Sequence, residues 1–170
     1  MGKVQKLFNN GCPGTVSRSI DDIIISVKNA ASDAVAYGTP VFMTADGAVP
    51  FSISVPQDFS SFLGFAVRAA DKSPEAYPSG QFNSGSEAGQ EGSWKPGDVM
   101  EVLVRGGVVV KMSASGARGG KVYIRKTDGR LTTNAGEANS TVLLENVRVK
   151  NPRTADRDSC EVIVNERNLI

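Results

Sequence analysis

The chain has 170 residues, 40% of them hydrophobic, and a formal net charge of +1. This length suits one domain with a real core, and 18 glycines and 8 prolines beside only 7 Phe, 3 Tyr and 1 Trp favour a turn-rich β protein. Histidine is absent and cysteine occurs only twice, which excludes Ser-His-Asp and Cys-His catalytic centres and a Cys/His zinc cage.

The N-terminal stretch, residues 1–19, is predicted to be an extended arm ahead of a single β-rich domain at residues 20–170. It begins MGKVQKLFNNGCPG and lacks the apolar segment of a secretory signal, so we expect synthesis in a cytoplasm. Val4, Leu7 and Phe8 stand there among Lys, Asn and Gly, which is a poor context for a core strand. We expect these three side chains to contact a partner. The alternative is that the arm is a solvent-exposed segment with no contact role.

Runs of β-branched and aromatic residues bounded by turn residues predict strands along most of the chain. In chain order these are residues 21–28, 39–45, 49–55, 62–69, 121–126, 130–133, 140–150 and 160–166. No window carries a sustained helical apolar stripe with caps. The segments 38–49 and 119–131 both contain a Gly, a Val-aromatic pair and a closing Asp-Gly. These similar hairpins predict a pseudo-symmetric sandwich or barrel, unless both follow the same turn rules independently.

A polar segment, residues 70–93, interrupts the strands with a composition dominated by Gly, Ser, Pro and Glu. A loop of this length inside a compact domain is uncommon and is usually either functional or disordered. Its only aromatic residues are Tyr77 and Phe82. We expect these two to be further partner contacts, and the alternative is again a solvated loop.

The longest β-branched run, WKPGDVMEVLVRGGVVVKM at residues 94–112, predicts a hairpin that turns at Arg105-Gly106-Gly107. The preceding Lys-Pro-Gly-Asp is turn chemistry. No catalytic side chain accompanies the run, so we interpret it as scaffold from which loops and arms reach a partner. Trp94 is a further contact candidate, and the alternative is that it covers the core beside Pro96.

Charge is uneven along the chain although its sum is small. Residues 31–92 carry seven acidic and two basic residues, whereas residues 93–130 carry eight basic and three acidic ones. Two such stretches can meet within one protomer or pair across copies. The bases of residues 111–130 surround Tyr123, a weak signal for oligonucleotide binding on a β-barrel. The near-neutral total charge argues against nucleic acid as a partner.

Other motifs that carry chemistry in proteins fit poorly. GARGGK at residues 116–121 has the wrong spacing for a phosphate-binding loop and precedes a strand. Asp21 and Asp22 are consecutive in a predicted strand, so their side chains point to opposite faces and cannot share a metal. A disulfide between Cys12 and Cys160 is possible, but a reducing compartment favours two free thiols. We expect no cofactor, no metal, no membrane span and no enzymatic activity.

The order of these segments resembles the structural cement, or head decoration, proteins of tailed phages. The resemblance rests on GTPVF, FLGFAVRAADK, KPGDVMEVLVRGGVVVKM and GGKVYIRKTDGRLTT, in that order, and covers about residues 35–170. It implies a jelly-roll-like antiparallel β-sandwich or barrel that binds the outside of an icosahedral capsid built from a different, major capsid protein. The N-terminal arm and the polar loop depart from the family pattern, so capsid contacts carry over least safely there.

On this reading we expect a non-enzymatic virion protein that stabilises contacts between capsomers. We also expect it to be made in the bacterial host cytoplasm and to associate with copies of itself, as a dimer or alternatively a trimer. Two other functions stay open: an oligonucleotide-binding β-barrel and a carbohydrate-binding sandwich displayed on a virion.

Overall fold

The structure is a computed structural model that describes residues 12–17, 21–52, 61–68, 93–114, 116–136, 140–152 and 159–166. Every regular element named within these residues is a β-strand, which confirms the predicted all-β class. The strands are β1 Val16–Ser17, β2 Ile23–Lys28, β3 Val35–Ala36, β4 Pro40–Thr44, β5 Gly47–Pro50, β6 Phe62–Ala66, β7 Ser93–Trp94, β8 Val99–Lys111, β9 Lys121–Arg125, β10 Leu131–Thr132, β11 Thr141–Asn151 and β12 Ser159–Val164.

One antiparallel sheet contains most of these strands, in the order β10-β9-β11-β12-β8-β6-β4-β5, and β1 and β2 also pair with β8. A separate two-stranded sheet joins β3 to β7. The long central strand β8 is therefore shared. Its first half pairs with β2 and β6, and its second half pairs with β12 and β1.

The prediction of a hairpin in residues 94–112 is wrong, because β8 runs through Gly106 and Gly107 without reversing. Gly106 has a φ of +118°, and a Cβ there would lie 1.9 Å from Asp22 Oδ1. A Cβ on Gly107 would lie 2.0 Å from Ser17 Oγ. These two glycines therefore allow Ser17 and Asp22 to approach the strand closely. Glycine serves this purpose as well as forming turns, and the local sequence does not distinguish the two.

Each half of β8 belongs to a five-stranded unit, and the two units have the same topology. In the first unit β4 pairs with β5 and β6, β6 pairs with β8, and β8 pairs with β2. In the second unit β9 pairs with β10 and β11, β11 pairs with β12, and β12 pairs with β8. Each unit also curls, so that its first strand approaches its third. The Ala30 amide donates to the Ala48 carbonyl at 3.0 Å in the first unit, and the Ser113 amide donates to the Leu131 carbonyl at 2.9 Å in the second.

The pairing register agrees between the units as well. Ile24 and Ile25 face Leu103 and Val102 in the first unit, and Gly107 and Val108 face Ile163 and Val162 in the second. The last strands of the units read Glu-Val-Leu-Val at residues 101–104 and Glu-Val-Ile-Val at residues 161–164. The predicted pseudo-symmetry is confirmed, and it extends from the Asp-Gly hairpins to the whole five-stranded unit.

Two apolar clusters fill the body. The larger takes buried side chains from both units: Phe42, Phe62, Phe65, Val67, Leu103, Val108, Val110, Met112, Val122, Ile124, Leu131, Leu144, Val147, Val149, Cys160, Val162 and Val164. The smaller lies on the other face of the first unit, where β3 and β7 cover it: Val35, Tyr37, Val41, Ala48, Leu63, Ala66, Trp94, Met100, Val102 and Val104. Most large apolar side chains of the described residues are thereby buried.

Candidate functional site

One of the six predicted contact residues, Trp94, lies in the described part of the chain, and five lie outside it: Val4, Leu7, Phe8, Tyr77 and Phe82. Trp94 is only 3% exposed. Its indole N–H donates to the Val67 carbonyl at 3.0 Å, and its ring packs edge-on against Tyr37 with 6.0 Å between centroids. Trp94 therefore covers the smaller cluster, as in the alternative interpretation, and does not present its ring to a partner.

Residues 12–17, the described part of the predicted arm, are built into the body. The Gly14 amide donates to the Val109 carbonyl at 2.8 Å, and the Val109 amide donates to the Thr15 carbonyl at 2.9 Å. The Arg68 amide donates to the Gly14 carbonyl at 2.9 Å, so the segment also joins the chain after β6 to β8. The folded body thus includes residues that precede the predicted boundary at residue 20.

Two large apolar side chains are exposed among the described residues: Ile24 at 44% and Val99 at 63%. Ile24 lies on β2, which pairs with β8 along one edge. On the other side β5 meets the end of β2: Asn29 forms a parallel bridge with Ala48, and a Cβ on Gly47 would lie 2.4 Å from the Lys28 carbonyl oxygen. The equivalent edge in the second unit is covered, because β1 pairs there with Gly107 and Val108. The units therefore differ at the outer edge of their first strand.

A groove of about 300 Å³ runs between residues 36–40 and the β9–β10 turn. Its apolar walls include Pro13, Tyr37 and Phe51, and its charged lining residues are Lys111, Asp128 and Arg130. Gly129 belongs to the turn, and a Cβ on it would lie 3.0 Å from the Phe51 ring. Apolar walls with rim charges of both signs are typical of a protein-contact surface.

Asp128 organises the basic β9–β10 turn. The Arg125 Nε–H donates to Asp128 Oδ1 at 3.0 Å, and the Arg130 amide donates to the same oxygen at 3.2 Å. Burial acts to raise the pKa of Asp128, but the hydrogen bonds and positive charges of Arg125 and Arg130 outweigh it and hold the pKa below its ordinary value. The carboxylate thus neutralises part of the positive charge around Tyr123. This weakens the case for oligonucleotide binding by these basic residues.

A buried carboxylate, Glu161, lies where β1, β8, β11 and β12 meet, and sequence reasoning did not single it out. Lys150 Nζ lies 2.8 Å from Glu161 Oε1 and 3.2 Å from Ser17 Oγ, and the Asn151 amide group donates to Glu161 Oε2. Burial acts to raise the pKa of Glu161, but hydrogen bonds from Lys150, Ser17 and Asn151 and the Lys150 charge outweigh it and lower the pKa. A lone acid within the apolar run CEVIV was the available signal.

Chemistry is sparse over the described residues. No three His, Cys, Asp or Glu side chains in them lie close enough together to hold a metal ion. Helices long and apolar enough to cross a membrane are likewise absent from that part of the chain. Cys12 and Cys160 are free thiols, as predicted. Cys160 is buried, and its Sγ–H donates to the Asn151 carbonyl at 3.1 Å.

An all-β body with two apolar clusters and a surface groove is typical of a structural or binding protein. The chain matches the family model described as "Structural cement protein (E217 gp24/Pam3 gp6)" over residues 2–165. The chain therefore belongs to the structural cement protein family, and the resemblance noted from sequence is confirmed. This membership supports a structural component of the phage virion that associates with the capsid, and it suggests a non-enzymatic role.

Solved structures give the same fold. A chain in the structure described as "The capsid of Myoviridae Phage XM1" matches with a TM-score of 0.68 and 16% sequence identity, and the match covers 97% of this chain and 96% of that chain. At this identity the likeness concerns the fold. A search of curated proteins returned no match.

Proposed function

We propose that this protein binds the outer surface of an icosahedral phage capsid and stabilises contacts between capsomers of the major capsid protein. The observation that carries the proposal is the family match across residues 2–165, nearly the whole chain. The fold likeness to a chain of a phage capsid structure, over 97% of this chain, agrees with it. The protein is made in the host cytoplasm and acts on the assembled shell.

The physical basis of cementing is burial of surface between neighbours. A specific interface buries on the order of 1,600 Å² in total, and a few aromatic or Arg anchors carry most of its energy. The proposed anchors are Val4, Leu7 and Phe8 of the N-terminal segment and Tyr77 and Phe82 of the polar loop. Trp94 is omitted because its ring is used inside the monomer.

Contact at more than one site multiplies a modest interface. When one subunit touches two capsomers, the second contact becomes effectively intramolecular, and avidity can exceed either affinity by a factor on the order of 100 or more. Two separate stretches of candidate anchors, before residue 12 and within residues 70–93, suit such bridging. Covalent chemistry is not required for the shell to gain stability.

Co-sedimentation of the purified protein with empty shells of its own phage tests the proposal. Full-length protein is compared with a variant that begins at residue 12, because deletion to residue 20 would also remove β1 and the hydrogen bonds of Gly14 and Thr15. The matched point variant is Leu7→Ala with Phe8→Ala. We expect stoichiometric binding by the full chain and weaker binding by both variants.

Shell stability is the second measurement. Shells that carry the protein should resist heating better than stripped shells. Failure of the full-length protein to bind intact, mature shells would contradict the proposal, and unchanged heat resistance after binding would contradict the stabilising role. Binding that survives both changes would place the contacts outside the N-terminal segment.

A further inference from the structure

The turn between β9 and β10 differs from its counterpart between β4 and β5. In the first unit Thr44 pairs with Gly47 around a turn of two residues, 45–46. In the second unit the Arg125 amide donates to the Arg130 carbonyl at 2.9 Å around a turn of four residues, 126–129. The paired residues that flank the turn are thus Thr and Gly in the first unit and two arginines in the second. The second unit has the longer and more basic turn.

This longer turn closes one side of the groove beside residues 36–40. Gly129 has a φ of +68°, and a Cβ on it would lie 3.0 Å from Phe51 Cδ1, so the turn packs directly against the Phe51 ring. Phe51 packs edge-on against Phe42 with 6.3 Å between ring centroids, and it also lies against the larger cluster. The apolar wall of the groove is therefore held in place by the fold, which lowers the ordering cost of binding.

The charge at the groove is mostly positive. Lys111 and Arg130 are exposed basic side chains among its lining residues, and Asp128 is the acidic one. Asp128 accepts a hydrogen bond from Arg125 at 3.0 Å, so its negative charge is compensated within the turn. Three basic side chains thus stand against one acidic side chain. A partner group with negative charge complements this surface.

The groove also lies beside the point where the N-terminal segment joins the body. Pro13 forms part of its apolar wall, and the Gly14 amide donates to the Val109 carbonyl of β8 at 2.8 Å. Phe8, the last of the proposed capsid anchors in that segment, precedes Pro13 by five residues. Five residues span at most about 18 Å. A partner that contacts Phe8 is therefore within reach of the groove.

We propose that this groove binds a segment of the major capsid protein in which an apolar side chain is flanked by carboxylates. The inference rests on the proposed capsid function and adds a contact site on the folded body. Tyr37 and Phe51 contact the apolar side chain, and Lys111 and Arg130 bind the carboxylates. The volume of about 300 Å³ is at the lower end of the range for small-molecule sites, and it suits one or two side chains of a larger partner.

Charge reversal in the shell co-sedimentation assay tests the groove. Lys111→Glu and Arg130→Glu each replace an exposed basic residue of its lining. Lys28→Glu is the matched control, because Lys28 is also exposed and ends the first strand of the first unit as Lys111 ends β8. We expect both groove variants to raise the Kd for empty shells at least about tenfold, and Lys28→Glu to leave it unchanged. Urea unfolding at the wild-type midpoint shows that each variant keeps the fold.

Carbodiimide cross-linking of the wild-type protein on shells gives an answer that needs no variant. The reagent joins a lysine amine to a carboxylate in contact with it, so Lys111 should link to an Asp or Glu of the capsid protein and Lys28 should not. Wild-type shell binding by both groove variants would overturn the inference, and so would Lys111 links confined to a second copy of this chain.

The outcomes also separate this inference from the proposed function. Groove variants that bind shells normally but lose retention on single-stranded DNA would assign the surface to nucleic acid and overturn the inference. Wild-type protein that does not bind shells refutes the capsid function itself. Shell binding that is insensitive to both groove variants refutes only the groove as a contact site.

Discussion

Replacement of Lys150 by Met should destabilise the fold through the carboxylate that it leaves behind. Lys150 Nζ lies 2.8 Å from Glu161 Oε1, and the Glu161 side chain is only 9% exposed whereas that of Lys150 is 36% exposed. Removing one partner of a fully buried pair costs about 3–5 kcal/mol, and exposed pairs contribute about 0.2–1 kcal/mol. Because one partner is partly solvated, we expect a loss of about 2 kcal/mol, or about 4–8 °C in Tm for a chain of this size.

Calorimetric unfolding as a function of pH isolates the electrostatic part. The folded-state pKa of Glu161 lies below its ordinary value of 4.5, so its contribution to stability is present above that value and is lost as the pH falls through the folded-state pKa. The difference in stability between wild-type and Lys150→Met should therefore be full at neutral pH and should shrink at acid pH.

A matched variant and a double-mutant cycle complete the test. Lys121→Met removes an exposed lysine from β9 and should change the free energy of unfolding by less than about 0.5 kcal/mol. Combining Lys150→Met with Glu161→Gln should recover part of the loss, since the uncompensated charge is gone. A loss below about 1 kcal/mol that does not vary with pH would show that Glu161 does not depend on Lys150.

Two further changes test the packing of the first unit by urea unfolding. Gly64→Ala should destabilise the fold by about 3 kcal/mol or more, because a Cβ there would lie 2.0 Å from the Leu103 carbonyl oxygen. At an open site Gly→Ala usually stabilises a protein, so a stabilising effect would contradict this close approach. Asn29→Ala should lower the free energy of unfolding by about 2–4 kcal/mol, because three hydrogen bonds of a buried side chain are lost. The Asn29 side-chain amide donates to the Trp94 and Lys95 carbonyls at 3.1 and 3.0 Å, and its Oδ1 accepts from the Ala31 backbone amide at 3.0 Å. Near-neutral behaviour of Asn29→Ala would mean that water replaces these bonds.

The strands that sequence predicted well are those with long β-branched runs, such as β2, β9, β11 and β12. The two-residue strands β1, β3 and β7 are too short to show a period, and long-range pairing defines them instead. Gly106 and Gly107 misled the prediction for the same reason. Their requirement for glycine comes from Asp22 and Ser17, which lie far away in the chain.

The candidate site was less accessible to sequence than the fold. Trp94 was chosen as an exposed anchor because large aromatic residues are enriched at interfaces, but a hydrogen bond to Val67 and the Tyr37 ring hold it in the core. The difference between the outer edge of β2 and its counterpart in the second unit could not be predicted either, because it depends on which strand lies beside each edge. The pairing of β1 with β8 shows that difference.

The two units share a topology but close the outer edge of their first strand differently. In the second unit Gly107 leaves room for Ser17, and β1 pairs along the edge. The equivalent residue in the first unit is Ile24, which is 44% exposed, and there β5 meets the end of β2 through Asn29 and Ala48. A glycine at residue 24 would cost strand stability, whereas isoleucine keeps the strand ordered. Glycine therefore stands where another segment approaches the strand closely, and a β-branched residue stands at the equivalent position where no described segment does.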